Sequence, residues 1–394
     1  MGKNHRRVTD PESPYSMLQQ RLLFMDRFPE RAWTNIIENV PRWPEMSAPP
    51  ALVDWTAVHN YSPCAGESAL IERITARERQ HQPDVNAANV LVSNGGLHGL
   101  SLIFRSRFTP GAVALVQSPV LGAVPEMLRA FGYAVELVTV ECAADVAALE
   151  ARCTAGPVAV LYLNTPNNPT GAVLPAAVMQ RCVALSEERG LALVVDRVYD
   201  SFVFRGARDV SPLTMSGEWS HLYTVNSMSK GFGAPGLRVG WVLSSPENVR
   251  TLAGILEREI ISVSAVAQSQ ACALLDRGND ALVSAVVAGK ARIEAELGAL
   301  SGASFSVPQG GSQFFVQLPV SDVEAYCDFV LLELGLALVS SSNYEGVDGP
   351  RVRIPMGCEP ATLERALPLL AQGLARYAAE PCAGSTGSAG SAAA

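Results

Sequence analysis

The chain has 394 residues, of which 48% are hydrophobic and 17% charged, with a net charge of −8. That length suits two domains at about 150 residues each, and so apolar a composition excludes wholesale disorder. The acidic balance excludes the basic footprint of a nucleic-acid binder.

Eight cysteines lie scattered, with no CxxC pair and no Cys/His cluster, so neither a zinc site nor a disulfide framework is expected. Free thiols in a reducing cytoplasm are. Met1 to Arg7 is basic, but no apolar segment follows it, so it does not read as a signal peptide. No apolar run approaches the roughly 20 residues that span a bilayer.

In chain order, residues 1–50 read as an arm with a helix over 15–25 and a Pro-rich connector over 40–50. A helix over 68–80 then leads to an apolar run at 90–93. A helix over 97–107 precedes a run at 112–117, and a helix over 124–131 precedes a run at 135–140. Runs at 158–164 and 191–196 flank a helix over 175–189, and runs at 222–226 and 239–243 complete the set. Short apolar strands alternating with helices predict an α/β fold whose mostly parallel, seven-stranded sheet is covered on both faces. A long helical region follows over 247–300. The stretch 305–378 mixes strands at 314–318, 336–339 and 351–354 with helices, as in a smaller α+β domain. The tail, rich in Gly, Ser and Ala, reads as disordered. The expected organisation is an arm and connector over 1–50, a large domain over 51–290, a small domain over 291–380 and a tail over 381–394.

Only three lysines occur: Lys3, Lys230 and Lys290. Lys3 lies in a ragged terminus, and Lys290 in a charged helical stretch. Lys230 stands in Ser227-Met228-Ser229-Lys230-Gly231, just after a predicted strand. A nucleophilic amine must be partly desolvated to be neutral often enough to react, and Lys230 is the one lysine so placed. Arg238, eight residues on, sits beside two serine hydroxyls and supplies what a phosphate needs. Gly95-Gly96-Leu97 offers bare N–H groups at a helix N-terminus, either as a second phosphate determinant or as a simple tight turn.

Asp196 ends an apolar strand, where a carboxylate is costly unless paired. A protonated pyridine nitrogen would pair it, as would a helix N-terminus. Tyr199 is near enough to reach the same ring. Asn164-Thr165-Pro166-Asn167-Asn168-Pro169-Thr170-Gly171 is a rigid turn that can aim an Asn side chain.

At these strings, together with Asp-Arg-Val-Tyr at 196–199 and Gly-Leu-Arg-Val-Gly-Trp at 236–241, the chain resembles the fold type I pyridoxal-phosphate enzymes of the aminotransferase class I/II family. The resemblance runs from about Tyr61 to Ala378. It implies that Lys230 joins pyridoxal 5'-phosphate as a Schiff base and later shuttles the proton. It implies that Asp196 meets the pyridine nitrogen, and that Asn168 and Tyr199 meet the ring hydroxyl. It assigns Gly96, Leu97, Ser227, Ser229 and Arg238 to the phosphate. Tyr61 would reach the phosphate of the neighbouring subunit in a homodimer. Arg353 would clamp the substrate α-carboxylate, with Arg351, two residues earlier, as the competing candidate. Asn39, Trp55, His98, Tyr344 and the stretch 257–266 are expected around the substrate.

The pattern departs from the family where an aromatic ring usually covers the cofactor. Leu121 takes that place, and stacking contributes only about 0.5–1.5 kcal/mol beyond burial. Leu97 replaces the usual polar residue after Gly-Gly, and His98 beside it is a candidate extra acid or base. The expected activity is amino-group transfer from an α-amino acid. The alternative is elimination, replacement, cyclisation or oxidation on the same cofactor. A third reading, a regulatory cofactor-binding module, needs a DNA-binding domain, and residues 1–30 are too few to hold one.

Overall fold

The computed structural model describes residues 7–44 and 59–379. Part of the expected connector, Trp55 and the expected tail lie outside the described residues.

Seven strands form the main sheet, in the spatial order Val90–Ser93, Gly240–Leu243, Leu222–Ser227, Ala192–Asp196, Val160–Asn164, Val113–Gln117, Ala134–Val138. Gly240–Leu243 runs antiparallel to both neighbours, and the remaining strands run parallel to one another. Successive side chains of a strand point to opposite faces. Val160 and Tyr162 therefore enter one apolar core, and Leu161 and Leu163 the other. Burial on both faces explains the near-continuous apolar runs of the sequence.

The parallel strands all end on one edge, where open α/β sheets bind ligands. There Asn164 is paired in register with Asp196, and Asp196 with Val225. The residues that follow these three strands therefore start side by side.

A second sheet is antiparallel, in the order Ser304–Phe305, Gln313–Gln317, Arg351–Pro355, Val339–Ser340. Its core joins Phe314, Val316, Val352 and Ile354 to Leu282, Val286, Ile293 and Leu297 of the helix Asp280–Gly298. That helix runs unbroken across position 290. The helical region 247–300 is divided into Pro246–Ile260, Ala265–Arg277 and Asp280–Gly298, with Ile261 and Gly278 at left-handed φ between them. The run 336–339 is split in two. Leu336–Ala337 pairs in parallel with Thr34–Asn35 of the arm, while Val339–Ser340 joins the small sheet. The sequence reading missed a helix at Ala143–Ala155, whose apolar row is only Val146, Leu149 and Cys153.

The arm helix Met17–Asp26 is anchored to the helix Val323–Leu334 by Arg21, which is fully buried and donates to Asp328 at 3.0 Å and to Glu324. Asp328 also accepts from the Val8 and Thr9 N–H groups. Among the described residues no helix is long and apolar enough to cross a membrane.

Candidate active site

The C-terminal edge of the main sheet, residues 37–40 of the arm and Arg353 of the second sheet enclose a cavity of about 360 Å³. Its wall gathers most of the residues singled out in the sequence: Asn39, Gly96, Leu97, Leu121, Asn168, Asp196, Tyr199, Ser227, Ser229, Lys230, Arg238 and Arg353. A larger cavity of about 780 Å³ lies elsewhere, and three of its four arginines, Arg73, Arg77 and Arg197, are closed in ion pairs with Asp276, Asp200 and Asp209.

Lys230 lies in the single helical turn Met228–Gly231 that follows the strand Leu222–Ser227. Its Nζ donates to the main-chain oxygen of Asn39 at 2.8 Å. Burial, aided by the positive charge of Arg353, lowers the amine to a pKa of about 8, against the pull of Glu38 and Asp196. Such an amine is partly neutral near physiological pH, as a nucleophile must be.

Asp196 ends its strand at the cavity wall. Burial raises its carboxyl to about 6, although the Val198 N–H, the Tyr162 hydroxyl and Lys230 all favour the anion. The Val198 N–H donates to Oδ1 at 3.1 Å and the Tyr162 hydroxyl to Oδ2 at 3.0 Å. A carboxylate still short of charge compensation inside a cavity suits a cationic ring nitrogen.

Asn168 has its backbone N–H fixed to Asn164 Oδ1 at 2.7 Å, and its Oδ1 accepts from the Tyr344 hydroxyl at 3.3 Å. Tyr199 Oη accepts from Asn39 Nδ2 at 3.2 Å, and burial raises its pKa. Asn39 is itself locked by Gln313 at 2.6 Å and Ser312 at 2.8 Å.

At the other end, the helix Gly96–Arg107 points its N-terminus at the cavity, between Ser227, Ser229 and Arg238. Gly95 stands at φ 83, and a Cβ there would come within 2.5 Å of Arg238 Nη2. A Cβ at Gly240 would meet the Gly95-Gly96 backbone at 2.7 Å. The two glycines let strand, turn and guanidinium close around an anion, and the free helix amides complete the cradle.

Arg353, 6% exposed, donates Nη1 to the Tyr344 hydroxyl at 2.9 Å and Nη2 to the Ile37 carbonyl. Its Nε is buried without a partner among the described residues. A buried guanidinium with an open donor fits a carboxylate ligand. Arg351 lies outside this wall, over the ring of Phe315 at 5.7 Å.

A phosphate cradle, a carboxylate for a ring nitrogen, donors for a ring oxygen and a desolvated lysine between them fit pyridoxal phosphate. Two expected residues lie elsewhere. His98 takes the Asn94 N–H on Nδ1 at 3.0 Å and faces Glu259 with Nε2 at 3.2 Å, outside the cavity wall. Tyr61 is 79% exposed, in a separate surface pocket with Ile260 and Val266. Part of the 257–266 stretch lines that same surface pocket. Sequence reasoning missed Tyr162, Glu38, Ser312 and Gln313. The only sequence signal for Tyr162 is a polar tip in a buried strand, two residues before Asn164.

The family model for aminotransferase class I and II matches residues 31–370. The chain is 40% identical to L-aspartate:5-guanidino-3-methyl-2-oxopentanoate transaminase of Pseudomonas syringae pv. syringae, covering 96% of this chain and 98% of that protein. It is 38% identical to the 3-methylarginine biosynthesis aminotransferase ArgM of Streptomyces arginensis, over 89% of this chain and 94% of that one. Among solved structures, aspartate aminotransferase of Thermotoga maritima superposes with a TM-score of 0.79 at 23% identity, over 92% of this chain and 98% of that one. N-succinyldiaminopimelate aminotransferase of Mycobacterium tuberculosis gives 0.80 at 22%, over 91% and 97%, and both structural likenesses concern the fold. The two sequence relatives are named as aminotransferases, which favours amino-group transfer over elimination, replacement, cyclisation or oxidation. The chain is a pyridoxal-phosphate-dependent enzyme and belongs to the aminotransferase class I and II family.

Proposed function

We propose that this enzyme moves an amino group from L-aspartate to a 2-oxo acid with a guanidino side chain, with 5-guanidino-3-methyl-2-oxopentanoate as the acceptor. The names of the two sequence relatives suggest this pair of substrates. The observation that carries the reading is Glu38. Apart from Asp196, it is the only carboxylate among the described residues of the cavity wall. Its partner Arg42 stands at 3.3 Å, and both side chains are 54% exposed. Such a pair contributes about 0–1 kcal/mol and is readily exchanged for a substrate guanidinium.

Each residue then has a task. Arg353 binds the α-carboxylate through its open Nε, with a fork that a lysine lacks. The helix Gly96–Arg107, Ser227, Ser229 and Arg238, all on the cavity wall, would hold the phosphate, while Asp196 would meet the ring nitrogen and Asn168 and Tyr199 the ring hydroxyl. Bound pyridoxal phosphate supplies an aldehyde that carries the amino group and a ring that takes up electron density. With the cofactor bound, Lys230 Nζ would be the group that takes the proton from the substrate Cα. Leu18, Leu121 and Val124 close the apolar side of the cavity against water.

The working unit in this reading is a homodimer in a reducing cytoplasm. Tyr61 is 79% exposed, Leu97 42% and Ile261 46%, a set of large apolar side chains that a second copy would cover. Tyr61 would reach the partner's phosphate. The seven described cysteines are free thiols.

The test incubates holoenzyme and L-aspartate with the methylated guanidino acid, its unmethylated analogue or 2-oxoglutarate, and identifies products by mass. Formation of 3-methylarginine and oxaloacetate is expected. Faster turnover of 2-oxoglutarate than of either guanidino acid would overturn the reading.

A further inference from the structure

The larger cavity, about 780 Å³, backs onto the turn that carries Lys230. The helix Ser68–Arg79, the segment after the strand Ala192–Asp196 and the start of the helix Asp280–Gly298 wall it in. Phe232, two residues after Lys230, belongs to that wall. Asn279, also on it, donates Nδ2 to the Gly231 oxygen at 2.7 Å. A Cβ at Gly231 would stand 2.8 Å from Oγ of Ser201, another wall residue, so wall and lysine turn are in tight contact. None of these groups lines the active-site cavity.

The wall carries four arginines and four aspartates. Arg73, Arg77 and Arg197 are paired with Asp276, Asp200 and Asp209. One charge of each sign is left over. The side chains of Arg208 and Asp280 are exposed and have no partner among the described residues. Two buried groups on the wall are also idle. Arg197 and Ser211 are each 5% exposed, and Arg197 Nε and Ser211 Oγ have no hydrogen bond among the described residues. Buried polar groups are nearly always paired, so two such donors on one cavity wall mark a place for an acceptor. Phe232, Leu275 and Val283 add apolar surface to the same wall.

We propose that this cavity binds a free α-amino acid with an apolar side chain, as an effector distinct from the substrate. Arg208 takes the carboxylate, with Arg197 Nε and Ser211 Oγ as further donors. Asp280 takes the ammonium, and the apolar wall takes the side chain. A simple anion leaves Asp280 unanswered, and a simple amine leaves Arg208 and both idle donors so. The volume falls within the range of about 300–1,000 Å³ usual for small-molecule sites. A ligand here bears on Phe232 and Asn279, and through them on the lysine turn, so it acts on turnover without competing for Arg353.

The test is calorimetric titration of L-leucine into holoenzyme whose cofactor has been reduced onto Lys230 with borohydride, so that the ligand amine cannot react there. One L-leucine should bind per chain. 4-Methylpentanoate, which lacks the amine, and 3-methylbutylamine, which lacks the carboxylate, should each bind roughly 10-fold more weakly, since each forfeits a charged contact. Arg208→Ala and Asp280→Asn should each weaken L-leucine several-fold, the scale of an exposed charge pair. Ser211→Ala should weaken it too, without lowering the melting temperature, because its hydroxyl has no partner to lose. Arg353→Lys should leave this binding unchanged. In the unreduced enzyme at saturating aspartate, L-leucine should change kcat in the wild type and not in Arg208→Ala.

No binding of L-leucine, or full affinity in both Arg208→Ala and Asp280→Asn, would overturn the proposal. Loss of binding in Arg353→Lys would overturn it by placing the ligand in the active site. Equal affinity for 4-methylpentanoate would overturn the assignment to an amino acid, and binding that leaves kcat unmoved would overturn the effector role. None of these results bears on the choice of acceptor proposed above.

Discussion

The hydroxyl of Tyr162 donates to Oδ2 of Asp196 at 3.0 Å, across neighbouring parallel strands. This contact supports the anion, yet burial still holds the Asp196 carboxyl at about 6, above its ordinary value of 3.8. The folded, cofactor-free protein therefore binds that proton more tightly than the unfolded chain does. The group's contribution is fully present below pH 3.8 and is lost as pH rises to about 6. The loss is at most about 3 kcal/mol, and less where the cavity admits water. Asp196→Asn should flatten this slope in melting temperature against pH, while weakening cofactor binding. An unchanged slope would mean that Asp196 is not the group at strain.

Arg353 should show its role in the split between binding and turnover. Arg353→Lys keeps the charge and loses the fork. A charge-assisted hydrogen bond contributes about 1.5–3 kcal/mol, so kcat/KM should fall roughly 10- to 100-fold, mostly through KM. Steady-state kinetics with aspartate checks it. An unchanged KM would return the clamp to Arg351.

Glu38 should discriminate between the two substrates. Glu38→Gln removes the charge offered to a guanidinium and leaves the volume. KM for the guanidino acid should rise several-fold, the scale of an exposed ion pair, while KM for aspartate stays level or falls. Equal effects on both substrates would remove Glu38 from side-chain recognition.

The arm is held by charge in a dry place. Arg21 is fully buried between Asp328, also fully buried, and Glu324. Arg21→Ala strands those carboxylates and should cost about 3–5 kcal/mol. Denaturant unfolding, with proteolysis of the helix Met17–Asp26 as a second readout, measures it. Because Leu18 of that helix lines the cavity, activity should fall as well. A loss under 1 kcal/mol would mean that the arm is docked by its apolar contacts.

The sheet was legible because its strands are buried on both faces, so each appears as an unbroken apolar run: Val160–Asn164 and Leu222–Ser227 have every residue buried. The residues around Lys230, Asp196 and Asn168 were legible because each follows such a strand within a few positions. What escaped depends on long-range contact. Tyr344 is expected around the substrate, but its hydroxyl's contact with Asn168 spans 176 residues of chain, and no local periodicity records that. The split of 336–339 at Leu338 follows from the arm, since Leu336–Ala337 pairs with Thr34–Asn35, some 300 residues earlier. His98 looked available beside Leu97, but a helix turns it away from the cavity toward Glu259.

The central claim is a covalent link at Lys230. The direct measurement is borohydride reduction of the holoenzyme, followed by proteolysis and mass mapping of the phosphopyridoxyl label. The label should fall on Lys230 and on neither other lysine, and Lys230→Ala should lose both label and turnover. A label at Lys290, or turnover that survives the substitution, would contradict the account.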